Sequence, residues 1–482
     1  MTKSTEEFSG YIDIGKDRFA YFVSKNWVTL QPAIQDKSEQ LAAFERLRYY
    51  HNDSSEFFYG TDNVGKVALF RNSNIQIGFS YSSNNGIIES SGFGTPLIIK
   101  SKSYNPDITD WTYFDAIKFI GGNINSLHPP MQAIKNITVR RNDSHNQDIS
   151  FCDDSEYSLK LPVVNDDGSE LFIFSVSIET SIDTAPSTRN FDCSSLGNIN
   201  SYIRLSFNRR KKFNDIEKYF TLIKNLVSLL FGMSNVKFDV CLEQKNSCDE
   251  FVESAVCLFA DDYKNYSLKR WIRVIPLNAT SSILPNLINS IFRKESDILI
   301  SLLPDDNRKV NYISIHHVQD MCTALEKSYE WLHEKVKTQR DNYLIGLRKA
   351  INQTIKNYDC EYTDFKAYDL TTVSSSFQYL DLTATTKVIS LYEENICLFN
   401  QIYKRTVHPK NFNETISDAA VIDLIKKFVK LRNAKTHTAD CSWNGSECLY
   451  DPLLSIVYYS YFMHVGADAE TAEKLSKRLL LF

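Results

Sequence analysis

Residues 417–437 read SDAAVIDLIKKFVKLRNAKTH. Val421, Ile422, Leu424, Ile425, Phe428, Val429 and Leu431 recur at helical spacing and supply a broad apolar face, while Lys426, Lys427 and Lys430 fall mostly on the other side. Ser417 is placed to cap the first turn, so the spacing predicts an amphipathic helix over 417–435 whose apolar stripe needs partner helices.

Those partners are legible on both sides. Helical periodicity predicts a long helix over 312–358, a second over 386–404, and two more over 452–463 and 468–481. Asp451 before Pro452 and Asp468 before an amphipathic run are N-terminal signals. Upstream the pattern changes. Residues 11–14, 67–70, 75–81 and 171–178 are short apolar or alternating runs separated by turn formers such as Gly121-Gly122-Asn123, with one helical stretch at 39–50. Between the two regimes, 202–207 and 236–240 alternate like strands around a helix over 213–231. The fold class expected is α+β and multidomain: a β-rich recognition region (1–205), a small mixed α/β unit packing with it (206–303), and a C-terminal α-helical bundle (304–482).

Composition narrows the function classes. With 482 residues, 23% charged and 43% hydrophobic, the chain has the make-up of a soluble globular protein, and a net charge of −5 excludes a pervasive basic surface of the histone type, so any nucleic-acid contact is local. Ten cysteines without a CxxC pair read as reduced thiols. The apolar runs 226–233 and 453–467 are shorter than the roughly 20 residues of a membrane span, and the first residues lack the apolar core of a secretory signal. A cytoplasmic protein without membrane contact is expected.

Arg432 and His437 are five apart, as are Arg46 and His51 and also Arg140 and His145, so spacing does not select among them. Context does. Arg140-His145 sits in the polar run RRNDSH, and Arg46-His51 ends a short helix with two tyrosines between. Arg432 closes a long amphipathic helix and is followed by Asn433, which shares a helical face with His437. Lys426, Lys427, Lys430 and Lys435 add positive charge with no acid among them, as an RNA-binding site wants, although basic residues also favour any helix C-terminus. Arginine, asparagine and histidine suit RNA cleavage in which the ribose 2'-hydroxyl attacks the adjacent phosphate. His437 would serve as general base or acid, Arg432 would stabilise the charge building on phosphate, and Asn433 would orient. No catalytic ion or other cofactor is expected, since HExxH, clustered carboxylates and CxxC pairs are all missing from the sequence.

The RNAKTH run at a helix end in a C-terminal bundle resembles the HEPN superfamily, whose nuclease members carry Arg, a polar residue, three more residues and His. The order of regions resembles the ApeA-type abortive-infection proteins of bacterial antiphage defence, as do residues 202–242 and the helix start HHVQDMCTALEKSYEW at 316–331. The resemblance implies a homodimer that sets two copies of Arg432 and His437 opposite each other, structured RNA such as tRNA as substrate, and activation when a phage-derived trigger is sensed by the N-terminal region. A non-catalytic HEPN module that grips RNA or a protein partner is the alternative, and a carbohydrate- or protein-recognising β-domain on a helical stalk is a third reading. Cys441 and Cys448 have the wrong spacing for a zinc knuckle and read as loop cysteines. Arg209-Arg210-Lys211-Lys212 reads as a solvated loop, His464 as a core or helix-end histidine, and His316 and His317 as residues without a role.

Overall fold

The computed structural model describes residues 8–24, 27–48, 57–62, 67–71, 76–82, 87–93, 97–101, 110, 112–139, 147–153, 157–165, 168–180, 191–192, 195–196, 199–259, 274–305, 313–333, 343–347, 349–354, 357, 383–407, 417–433 and 445–480. Helices and sheet are both present, and the chain divides into two compact units, residues 1–227 with 235–267 and residues 228–234 with 268–482.

The first unit holds eighteen described strands: β1 (Phe8–Ile14), β2 (Asp17–Ser24), β3 (Trp27–Pro32), β4 (Phe57–Asp62), β5 (Val67–Arg71), β6 (Gln76–Ser82), β7 (Ile87–Phe93), β8 (Leu97–Ser101), β9 (Tyr113–Ile120), β10 (Ile134–Val139), β11 (Gln147–Phe151), β12 (Leu159–Val164), β13 (Glu170–Thr180), β14 (Phe191–Asp192), β15 (Ser195–Leu196), β16 (Ile199–Lys212), β17 (Asp239–Lys245) and β18 (Phe251–Phe259). Sixteen form one sheet in the order β12-β13-β16-β9-β17-β18-β8-β5-β4-β1-β2-β3-β7-β6, with β14 and β15 attached to β16, while β10 and β11 pair apart. The described pairings are antiparallel.

Alternation explains the two faces of this sheet. In β16 the residues Ile199, Ile203, Leu205 and Phe207 are buried while Asn200, Tyr202, Arg204 and Ser206 point the other way. Helix α2 (Ile216–Phe231; α1 is Lys37–Arg48) covers the apolar face, with Tyr219 against Phe207 at 4.6 Å and Phe220 against Phe238 at 5.7 Å. Because β16 and β17 are each antiparallel to β9, they run parallel to one another with β9 between them, joined through α2. The two strands of the strand, helix, strand arrangement are therefore part of the large sheet, and of residues 206–303, 206–227 and 235–267 fall in the first compact unit and 228–234 and 268–303 in the second. The run Arg209–Lys212, expected as loop, is the end of β16: Arg209 and Arg210 lie within a register shift, and Lys211 and Lys212 pair again with Phe114 and Tyr113. Under α1 a smaller core gathers Ile12, Phe19, Tyr21, Leu30, Phe44 and Leu47.

The helices α3 (Leu284–Phe292), α4 (Ile315–Leu332), α5 (Ala384–Glu394), α6 (Ile396–Val407), α7 (Asp418–Asn433), α8 (Tyr450–His464) and α9 (Ala469–Leu480) belong to the second unit. At the centre lies α8, buried all round and packed on α4, α6 and α9; α7 packs on α4 and α5. Three boundaries differ from those expected. The helix expected over 386–404 is broken at Asn395, which leaves helical dihedrals while its side-chain amide donates to the Leu391 carbonyl. The long helix expected from 312 stops at Leu332, with residues 343–347 and 349–354 helical again. Pro452 sits inside the first turn of α8, which starts at Tyr450 after a 3-10 turn at Ser446–Leu449. Among the described residues no helix is long and apolar enough to cross a membrane.

Candidate active site at the end of helix α7

Helix α7 divides as its sequence requires. Val421, Ile425, Phe428, Val429 and Leu431 are buried, whereas Lys426, Lys427 and Lys430 are exposed. Arg432 follows Val421, Ile425 and Phe428 at spacings of four, three and four, so it continues the buried stripe and is carried toward α4 instead of joining the lysines. There its Nη1 donates to Oε1 of Glu326, with the arginine side chain 35% and the glutamate 29% exposed. At the other end of α7, Asp418 accepts a hydrogen bond of 2.9 Å from the hydroxyl of Tyr392 on α5. Polar contacts to two different helices thus fix both ends of α7.

Glu326 is the residue that sequence reasoning missed. It lies four residues after Cys322 and one after Leu325, both buried, at the edge of the face that α4 turns to its neighbours. An acid at such an edge calls for a cationic partner, and that was the available signal. Burial pushes the Cys322 thiol up to about 12, with Arg432 pulling the opposite way and Glu326 adding to the rise, so this sulfur stays protonated and is no nucleophile. The start of α4 is fixed by Ser314, whose hydroxyl accepts from the His317 amide at 3.3 Å while His317 Nδ1 accepts from the Ser314 amide at 3.1 Å; His317 therefore has a capping role that its sequence context did not disclose.

The lysines are not gathered on the arginine. Lys430 is two residues and Lys427 five residues before Arg432, roughly 160° and 140° away around the helix. Lys427 is paired with Asp423 at 2.8 Å, and this hydrogen bond holds the Asp423 carboxyl below its usual range. Lys435 and His437, with the Cys441 of the zinc alternative, lie outside the described residues, and of Asn433 the backbone alone is described. Cys448 is partly buried, its thiol 3.0 Å from the Gly445 carbonyl. Among the described residues no group of three or more His, Cys, Asp or Glu side chains is placed to hold a metal ion.

The other Arg-His pairs separate by context. Arg46 makes a forked contact with Asp17 at 2.7 and 2.8 Å, which ties α1 to β2, while His51, Arg140 and His145 lie outside the described residues. His464 is the last residue of α8, stacked on Trp331 at 5.1 Å and 3.3 Å from Glu295. Compared with known protein families, with characterised proteins and with solved structures, the chain matches none.

Chemically, a guanidinium in this position offers N–H donors in a plane, of which a single carboxylate oxygen takes a share. Such a group can bind and stabilise a phosphate anion.

Proposed function

We propose that this protein is a metal-independent endoribonuclease of the HEPN type, with Arg432 binding the scissile phosphate, His437 acting as general base or acid, and Asn433 orienting the imidazole or the phosphate. The observation that supports this reading is the placement of Arg432: it lies in the last turn of an amphipathic helix packed on α4 and α5, and its side chain is a third exposed. The RNAKTH sequence supports it, because a histidine five residues beyond such an arginine supplies the proton transfer that a 2'-hydroxyl attack needs. One imidazole does not readily serve as both acid and base, so the reading includes a homodimer in which two sites face each other. Structured RNA such as tRNA is the proposed substrate, cleaved in the cytoplasm during abortive infection, with the β-rich unit as sensor of a phage-derived trigger.

A second reading, a non-catalytic module that grips RNA or a protein, is favoured by one specific observation: Glu326 neutralises Arg432. Incubation of the purified chain with total RNA in EDTA, beside His437→Ala, separates the two. Cleavage that the substitution abolishes supports the nuclease, and binding without cleavage supports the module.

A further inference from the structure

The ion pairs of the arginines fall into two kinds. Arg204 on β16 holds Glu243 on β17 through both Nε and Nη2, at 2.6 and 2.9 Å, with the glutamate side chain 2% exposed and the guanidinium over the rings of Tyr202 and Phe251. Arg46 and Asp17 are forked in the same way. Such pairs are scaffolding. Arg432 belongs to the one-armed kind, with Arg210 on Asp115 and Arg293 on Glu295: it reaches Glu326 through one nitrogen and one oxygen, both side chains are about a third exposed, and its pair joins two helices. A carboxylate and a phosphate compete for the same donors on a guanidinium, and a one-armed, solvent-reached contact is the kind that an anion can displace.

We propose that Glu326 is an internal stand-in for the RNA phosphate: it holds Arg432 in the resting protein, and RNA gains the arginine only by displacing it. The proposal rests on the reading of Arg432 as a phosphate-binding residue and adds its regulation. Glu326 here is a self-inhibitory group, not a catalytic one. Its position on α4 makes the contact sensitive to any event that shifts α4 against α7, because the two partners belong to different helices and are 106 residues apart in sequence. Asp423 stands on the other side of α7, paired with Lys427, and does not compete for the guanidinium.

The test measures binding of a fluorescein-labelled hairpin RNA, with every ribose 2'-O-methylated so that it cannot react, to the full chain by anisotropy in EDTA at fixed ionic strength. Glu326→Gln keeps the side-chain shape and removes the charge. It is expected to bind about two- to fivefold tighter than the wild type, the span that an exposed ion pair covers. Glu326→Asp, one methylene shorter with its charge kept, should fall between them. Arg432→Ala should bind more weakly, and adding Glu326→Gln to it should change nothing further. Equal or weaker binding by Glu326→Gln overturns the proposal, as does a gain that persists without Arg432, because the effect would then be general charge removal. Cleavage of the unmodified hairpin is scored in parallel: tighter binding with no cleavage by any variant leaves the latch standing and removes the nuclease reading, whereas no binding by any variant removes both.

Discussion

Arg432, in the last turn of α7, donates through Nη1 to Glu326 in the middle of α4. The contact follows from spacing, since the arginine extends the buried stripe of its own helix and the glutamate borders the buried stripe of the other. It also sets how the arginine should respond to substitution. Arg432→Ala is expected to lower the cleavage rate by about 10² to 10³, as loss of a charge-stabilising donor does, while stability changes by about 1 kcal/mol or less because the pair is partly exposed. Lysine should not rescue it, having no planar fork. Single-turnover cleavage and thermal melting on the same preparations check both halves.

On the polar face of the sheet, Lys118 is ringed by Glu179 at 2.5 Å, Glu253 at 3.5 Å and Glu243 at 3.7 Å, and Glu243 is held by Arg204. Arg204→Ala strands a buried carboxylate. The loss should be on the order of 3 kcal/mol, the low end for a broken buried pair, because Lys118 still faces Glu243. Replacing both partners, Arg204→Met with Glu243→Leu, should cost less than the single change. Urea denaturation of the three proteins decides this, and a double variant weaker than the single one would contradict it.

Gly122 has φ +55°, and a Cβ there would stand 1.9 Å from the Lys237 carbonyl oxygen. This turn joins the end of β9 to the approach of β17, with the Lys237 amide donating to the Asn123 side chain at 2.6 Å. Gly122→Ala should therefore destabilise by at least about 2 kcal/mol, from the left-handed backbone and the clash together. A melting temperature equal to that of the wild type would contradict the geometry.

His128 is buried, with Nε2–H donating 2.6 Å to the Tyr157 carbonyl and Nδ1 3.0 Å from the Ser201 hydroxyl; burial lowers its pKa. The unfolded chain then binds a proton more readily than the folded one. Stability from this site is complete above the unfolded value of about 6.5 and falls as the pH drops below it. His128→Gln should flatten that part of the pH profile, and an unchanged slope would contradict it.

Local order was the legible part. Alternation gave β1, β5, β6 and β13 within a few residues, and caps placed the starts of α7 and α9, since both signals lie inside the element that they describe. The strand order was not legible, because β9 pairs with β16 and β17 across more than eighty residues of sequence. Arg209–Lys212 looked like loop because four consecutive charges mask the end of a strand, and Asn395 broke a helix through a side-chain bond that periodicity does not register. The place of Arg432 in the last turn of α7 was legible from helical periodicity. Glu326 was not, since its partner lies on another helix.

Cleavage of total RNA in EDTA by the wild type and His437→Ala, with analysis of the product ends, tests the nuclease most directly. Wild-type products ending in 2',3'-cyclic phosphate, formed about 10² to 10⁴ times more slowly by the variant, are the predicted result. Equal cleavage by both proteins, or cleavage that requires added magnesium, would contradict it.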